Sequence, residues 1–343
     1  MNIPAKAWSG KSTPKRILVI RTQAMGDVMI TLPYLQHLRR SLPASVRLDL
    51  LTRVETDPIP RNIELFDKVY SIGGGRRQKL ILLLALLKLP RLMLRRYDIV
   101  IDLQNNRYSG IIRRVLRPKA WSVFDKRSSI AAGERTRLTI ERVGLGKCML
   151  DTAFRLKSED RGLALLKQAG WNGSDELVVL NPAGLNATRN WPIQYYVDLA
   201  QLWLGQRPAT RFLVLGTAFI DKKRAYLKEA LGESLFDLVG QTSPLEAFET
   251  LQRATMVLSE DSGLMHMAWV SGIPTLALFG SSRSDWSRPL GPHSFFLDSS
   301  DLPCGSCLGT VCRRGDNHCM TRYTPEKVLQ HAFSLLRFDL ATT

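Results

Sequence analysis

Residues 256–280 read MVLSEDSGLMHMAWVSGIPTLALFG. Met256-Val257-Leu258 is an apolar run of strand type, and Ser259-Glu260-Asp261-Ser262-Gly263 is a polar turn. Leu264 to Val270 has helical composition, and Ser271-Gly272-Ile273-Pro274 closes it before a second apolar run, Thr275 to Phe279. A strand, turn, helix, strand unit is the building block of a parallel sheet, so this stretch sets the fold class as α/β. The turn then lies at the carboxyl end of a strand and opens a helix. The amides of Ser262, Gly263 and Leu264 face outward beside the positive end of the helix dipole. The turn is either a seat for a phosphate or an ordinary crossover helix capped by Asp261 or Ser262.

Working outward, the same plan repeats along the chain. A basic tail leads into Arg16 to Ile20, a short buried strand, then the turn Met25-Gly26-Asp27 and a helix over 28–40 with apolar residues at 28, 32, 35 and 38. Asp27 therefore sits at the carboxyl edge of the first strand, as an N-cap or a site carboxylate. Further strands are expected at 46–51, 68–70 and 97–103, and the pattern restarts with strands at 177–180 and 211–215. Two doubly wound domains fit both this alternation and the length, since 343 residues exceed what one core holds. The segment RRQKLILLLALLKLPRLMLRR, 76–96, mixes leucines with basic residues and is broken by Pro90. It either packs on the sheet or lies on an anionic membrane. The longest wholly apolar run, Leu80 to Leu87, is eight residues where a membrane span needs about 20. Residues 1–16 lack the apolar core of a signal peptide, and the expectation is a cytoplasmic chain.

Charge divides the molecule. The formal net charge is +17, but residues 1–172 hold 33 Lys and Arg against 14 Asp and Glu, while residues 173–343 hold 15 against 17. A basic half (+19) joined to a near-neutral half (−2) suits a protein whose first half meets a polyanion, or one whose basic surface serves solubility alone. Nucleic acid would call for basic residues interleaved with stacking aromatics, and with 8% aromatic residues the first half shows no such array.

Several motifs are excluded. No G-x-G-x-x-G follows the first strand, and Gly146-Lys147-Cys148 lacks the upstream glycine and the hydroxyl residue of a P-loop. Asp261, Ser262 and His266 are residue types of a hydrolase triad, yet they crowd one turn and lack the G-x-S-x-G elbow.

Four stretches in order, RILVIRTQAMGDVMITLP, NPAGLNATRNWP, VGQTSPL and SEDSGLMHMAWVSGIPTLALFG, resemble the lipopolysaccharide heptosyltransferases of glycosyltransferase family 9, from about residue 16 to 335. The resemblance implies a GT-B architecture: two Rossmann-like doubly wound parallel-sheet domains facing across a cleft. It divides the chain into a basic acceptor-binding domain, 1–172, a nucleotide-sugar domain, 173–323, and a C-terminal helix, 324–343, crossing back toward the first domain. The implied reaction is inverting, metal-independent transfer of heptose from ADP-heptose to a hydroxyl of the lipopolysaccharide inner core. That core is rich in acidic Kdo and phosphate, which matches the charge of the first half. The implied setting is peripheral, on the anionic cytoplasmic face of the inner membrane. Two other readings stay open: a different GT-B nucleotide-sugar enzyme, including a UDP-GlcNAc epimerase, and a non-enzymatic basic protein that binds a polyanion.

The resemblance also assigns roles. Asp27 becomes the base for the incoming hydroxyl, with Gly26 beside it, and Arg189 a phosphate clamp suited by its planar fork. Asp261, Ser262, Gly263 and His266 form the donor-site motif, Asp221 matches a residue that holds ribose, and Thr242 one that contacts base or ribose. On charge and position, Arg76, Arg77, Lys79 and Arg113 are acceptor-side candidates. No cofactor is implied for catalysis. Cys304, Cys307, Cys312 and Cys319 lie within sixteen residues and are candidate ligands of a structural zinc, or else reduced thiols or disulfides.

Overall fold

A computed structural model describes residues 3–75, 77–157 and 161–342. The chain forms two compact units, Met1–Ser158 and Glu159–Thr343.

The first unit is built on a six-stranded sheet: β1 (Ala5–Lys6), β2 (Arg16–Ile20), β3 (Arg47–Arg53), β4 (Lys68–Ile72), β5 (Ile99–Asp102) and β6 (Ala120–Val123). Its order is β1-β6-β5-β2-β3-β4, with β1 antiparallel on the edge and the rest parallel. Ile17 to Ile20 and Ile99 to Ile101 are wholly buried, as continuous apolar strands covered on both faces must be. The helices are α1 (Met25–Met29), α2 (Leu32–Ser41), α3 (Pro58–Asn62), α4 (Gln78–Leu87), α5 (Leu89–Met93), α6 (Arg107–Leu116) and α7 (Ala132–Glu141). The single helix expected over 28–40 is in fact two. Pro33 stands in the first turn of α2, where its missing N–H costs nothing but its ring blocks continuation from α1. Pro90 separates α4 from α5 in the same way.

The second unit repeats the plan with β7 (Leu177–Asn181), β8 (Arg211–Val214), β9 (Leu235–Asp237), β10 (Met256–Glu260), β11 (Thr275–Leu278) and β12 (Ser294–Leu297). All its strands are parallel, in the order β12-β11-β10-β7-β8-β9. Its helices are α8 (Arg161–Gln168), α9 (Ile193–Gln206), α10 (Asp221–Leu231), α11 (Pro244–Leu251), α12 (Gly263–Val270), α13 (Ser284–Ser287), α14 (His318–Thr321) and α15 (Pro325–Thr342).

The boundary at 158/159 falls earlier than the expected 172/173, because α8 packs on α11. Gly162 permits the approach: a Cβ there would stand 2.4 Å from the Thr250 backbone nitrogen. The C-terminal helix, expected to cross back to the first domain, makes its principal packing on α9 of the second unit, with Phe333 edge-on to Trp203 at 4.8 Å between centroids.

In each sheet the chain winds outward in one direction, returns to the centre, and winds outward in the other. The reversal lies between β2 and β5 in the first unit and between β7 and β10 in the second. At such a switch point the loops leaving two neighbouring strands part to opposite faces and leave a crevice.

Trp203 is fully buried in the second core and donates Nε1–H to Thr210 Oγ1 at 3.1 Å. Trp203→Ala is expected to cost about 3–5 kcal/mol of stability, read as a fall in the urea midpoint at unchanged slope.

Candidate active site

Polar residues gather at both switch points. In the first unit, Arg21 leaves the end of β2 and is buried. Its Nη1 donates to the Leu103 carbonyl just past β5, which ties together the two loops that part there. Its Nη2 donates to Asp27 Oδ1 at 2.8 Å and its Nε to the Asp27 carbonyl at 3.2 Å. The guanidinium lies over the Phe124 ring at 4.9 Å. Beside it, Thr22 N–H donates to Gln104 Oε1 at 2.9 Å. Burial pushes the Arg21 value down, and the charges of Asp27 and Asp102 oppose that.

Asp27 is therefore not the N-cap of α1. It lies inside the first turn, one oxygen pinned by Arg21, with 32% of its side chain open to solvent. Gly26 precedes it, half-buried. Lys126 shares this electrostatic neighbourhood: burial and then Arg21 push its value down, while Asp102 and Asp27 draw it up.

Asp102, at the end of β5, is buried and accepts from Asn105 N at 2.8 Å, Gln104 N at 3.1 Å and Ser109 Oγ at 3.0 Å. Burial raises its value in spite of these donors. Arg113 is drawn toward this group. Its Nε is 3.9 Å from Asp102 Oδ2 and its guanidinium lies 4.2 Å over Trp121, with its side chain partly open to solvent. Arg77 and Lys79 are exposed at the start of α4, and Arg76 lies outside the described residues.

In the second unit, Glu260 ends β10 with no exposed surface. It accepts from Trp191 N at 2.7 Å on one oxygen and from Gly184 N at 2.5 Å on the other. Lys223 Nζ stands 3.7 Å from the same carboxylate and donates to the Pro182 carbonyl at 2.6 Å. One buried carboxylate thus staples both ends of the 182–191 loop to the neighbouring strand. Gly184 has no room for a side chain: a Cβ would stand 2.6 Å from the Arg189 carbonyl and 2.7 Å from Glu260 Oε2. Asn181, ending β7, donates from Nδ2 to Ser259 Oγ and to Ser262 Oγ, each at 2.7 Å.

This framework delivers Arg189 to the turn that opens α12. Arg189 Nη1 is 3.4 Å from Asp261 Oδ2, and Ser287 Oγ is 3.4 Å from Asp261 Oδ1. Ser262, not Asp261, caps the helix, accepting from Met265 N at 3.3 Å with extended backbone. Gly263 is its first residue. His266 is buried one turn on, its Nδ1 accepting Trp269 Nε1–H at 3.1 Å, so that nitrogen serves the helix itself. Asp221 and Thr242 follow β8 and β9 along the same carboxyl edge of the sheet. Asp221 is half exposed and paired with Arg224 at 3.5 Å, and Thr242 is half-buried just before the Ser243 capping box of α11.

The structure thus joins Arg189, Asp261, Ser262 and Gly263 in one unit and holds Asp27 in the other. Arg21, Glu260, Asn181 and Lys223 escaped the sequence reading. Glu260 and Asn181 are polar residues ending apolar strands, and that position was the available signal. The four C-terminal thiols are free and line one cavity of about 270 Å³. Backbone amides, led by that of Asn317, hold the Cys312 thiol below its usual range, while burial and the neighbouring thiols push Cys319 up. Among the described residues no three His, Cys, Asp or Glu side chains are grouped so that they could hold a metal ion.

Comparison with known proteins agrees with the fold. The model of glycosyltransferase family 9 (heptosyltransferase) matches residues 86–318. Lipopolysaccharide heptosyltransferase 1 of Pseudomonas aeruginosa is 25% identical over 94% of this chain and 98% of its own length. A glycosyl transferase of family 9 from Veillonella parvula superposes with a TM-score of 0.78 at 17% identity, covering 94% of this chain and 97% of that one. An E. coli heptosyltransferase solved with ADP-2-deoxy-2-fluoro heptose gives 0.68 at 19% identity, covering 93% and 99%. The expected pair of Rossmann-like parallel-sheet domains is what the chain forms.

Burial raises the Glu260 value from 4.5 to about 7, against the pull of Lys223 and two amides. The folded chain then holds that proton more tightly than the unfolded one. The stability it contributes is complete below pH 4.5 and is lost as pH rises through about 7. Glu260→Gln has no such proton, so its urea midpoint is expected to change less than that of the wild type between about pH 5 and about pH 8. Gly184→Ala is expected to force the 182–191 loop off Glu260 and lower stability by about 1–3 kcal/mol in the same measurement.

Proposed function

The chain belongs to glycosyltransferase family 9, the heptosyltransferases, and from that premise we propose that it transfers heptose from ADP-heptose to a hydroxyl of the lipopolysaccharide inner core, in one inverting displacement without a catalytic metal. The observation that carries the reading is the pairing of Arg189 with Asp261 beside the capped start of α12, a cation and free amides waiting at a sheet's switch point.

The chemistry follows from the groups in place. The acceptor hydroxyl attacks the anomeric carbon as Asp27 takes its proton. The bond from that carbon to the diphosphate oxygen breaks, and its electron pair leaves with ADP. Arg21 fixes the rotamer of Asp27, so the carboxylate is oriented before the acceptor arrives. The leaving diphosphate gains one negative charge as that bond breaks, and the Gly263 end of α12 with the Arg189 fork answers it. Asp261 keeps Arg189 in place until the phosphate arrives, and serves heptose hydroxyls afterwards. Asp221 and Thr242 serve the nucleoside, and His266 supports the turn from within α12. The four thiols have no part in this chemistry. An acidic acceptor rich in Kdo and phosphate suits a first half of net charge +19.

The test is transfer from ADP-heptose to a Kdo-containing core, with the anomeric configuration of the product determined. Asp27→Asn is expected to lose about 10²–10⁴ in kcat while donor binding persists. Arg189→Ala is expected to lose about 10²–10³. Equal transfer by wild type and Asp27→Asn would remove the base assignment, and failure to consume ADP-heptose beside consumption of another nucleotide sugar would remove the donor.

A further inference from the structure

After its first two residues, Gln78 and Lys79, helix α4 is apolar on all sides. Ile81 and Ala85 are buried in the first unit's core, which is what one face of a surface helix requires. The opposite face should be polar, yet it carries Leu80, Leu83 and Leu87 at i, i+3 and i+7, with Leu83 54% and Leu87 66% exposed. The chain then turns through α5 and exposes Met93 at 51% and Leu94 at 84%. Core packing explains one side of this segment and leaves the other unexplained.

Its charge is equally one-sided. From Lys68 to Tyr97 the sequence has eight Lys and Arg and no Asp or Glu. Lys79, Arg91 and Arg96 are exposed beside the leucines, and Arg114 is exposed on the neighbouring α6. Three kinds of partner cover apolar surface. A second copy of the chain would bring two such cationic faces together and be repelled. A nucleic acid would want stacking rings, and the exposed side chains here are aliphatic. An anionic bilayer satisfies both features, since leucines enter its acyl boundary while long cationic side chains reach back to headgroup phosphates. No helix among the described residues is long and apolar enough to cross a membrane, and the ten residues of α4 are suited to lying in the interface.

We propose that α4 and α5 form a docking surface for an anionic lipid bilayer, with Leu83, Leu87 and Leu94 as the inserting residues and the flanking Lys and Arg as headgroup contacts. The proposal stands apart from the transfer reaction, because its inserting residues and the cations Arg91 and Arg96 have no role assigned in it; Lys79 alone is shared with the acceptor-side candidates.

Co-sedimentation of the full chain with vesicles tests it, using phosphatidylcholine alone and a mixture with phosphatidylglycerol. The wild type is expected to sediment with the mixture and not with phosphatidylcholine. Leu83→Glu/Leu87→Glu is expected to reduce partition at least about tenfold. Arg91→Gln/Arg96→Gln should reduce it roughly fivefold for each charge removed, with a shallower salt dependence. Thermal unfolding of each variant reports folding, and Leu94→Glu, at the most exposed position, carries the test if the double leucine variant does not fold. Retention of full binding by the folded leucine variants would overturn the proposal. So would equal binding to both vesicles, or a wild-type dimer that ignores vesicles and becomes monomeric in Leu83→Glu/Leu87→Glu.

Discussion

Where a parallel sheet reverses its winding, the two loops that leave neighbouring strands part to opposite faces, and no ladder hydrogen bond holds them. This protein meets that constraint twice, each time with one buried charge. In the first unit a cation, Arg21, donates to the Leu103 carbonyl and to Asp27. In the second a carboxyl group, Glu260, accepts the amides of Gly184 and Trp191 and is an anion once pH exceeds about 7. Taking a charge out of water is costly, and both sites offset part of the cost with hydrogen bonds and an opposite charge nearby, while burial still lowers the Arg21 value and raises that of Glu260.

The signs of the two charges suit what each positions. A cation at the first switch point can hold a carboxylate in a set orientation, and that carboxylate remains partly open to solvent. An anion at the second can hold backbone amides, which frees the loop's own cation, Arg189, to stand beside the α12 turn. Each buried group acts through another, since neither Arg21 nor Glu260 is exposed enough to meet a ligand. Rigid supports of this kind are what let a site keep its geometry before a substrate binds.

The central strands were legible in the sequence because they are continuous apolar runs, Ile17 to Ile20 and Val178 to Leu180 among them. The outer strands β6, β9 and β12 were not, being short and mixed in character: Ala-Trp-Ser-Val, Leu-Phe-Asp and Ser-Phe-Phe-Leu read equally as loop. Pro33 was visible, but the periodicity of apolar residues across it suggested one helix where the ring makes two. Within the site, Asp261 and Ser262 stood out as a polar turn between a strand and a helix, local in sequence, whereas Arg189 was pointed to by the resemblance of its motif, its partner Asp261 lying 72 positions away. Arg113 was placed among acceptor groups by its charge, and the fold turns it onto Asp102 and Trp121.

What the sequence determined by itself was the alternation of strands and helices, the turns that end strands and open helices, and the charge division between the two halves. Each is a property of neighbouring residues or of composition, so no long-range contact has to be known. The tertiary structure alone decided which of the many charged residues are buried and whom they serve. Arg21 meets Leu103 across 82 positions, and Glu260 meets Trp191 across 69. Those partners become neighbours only through the order of strands at each switch point, and a buried charge gets its role from that order.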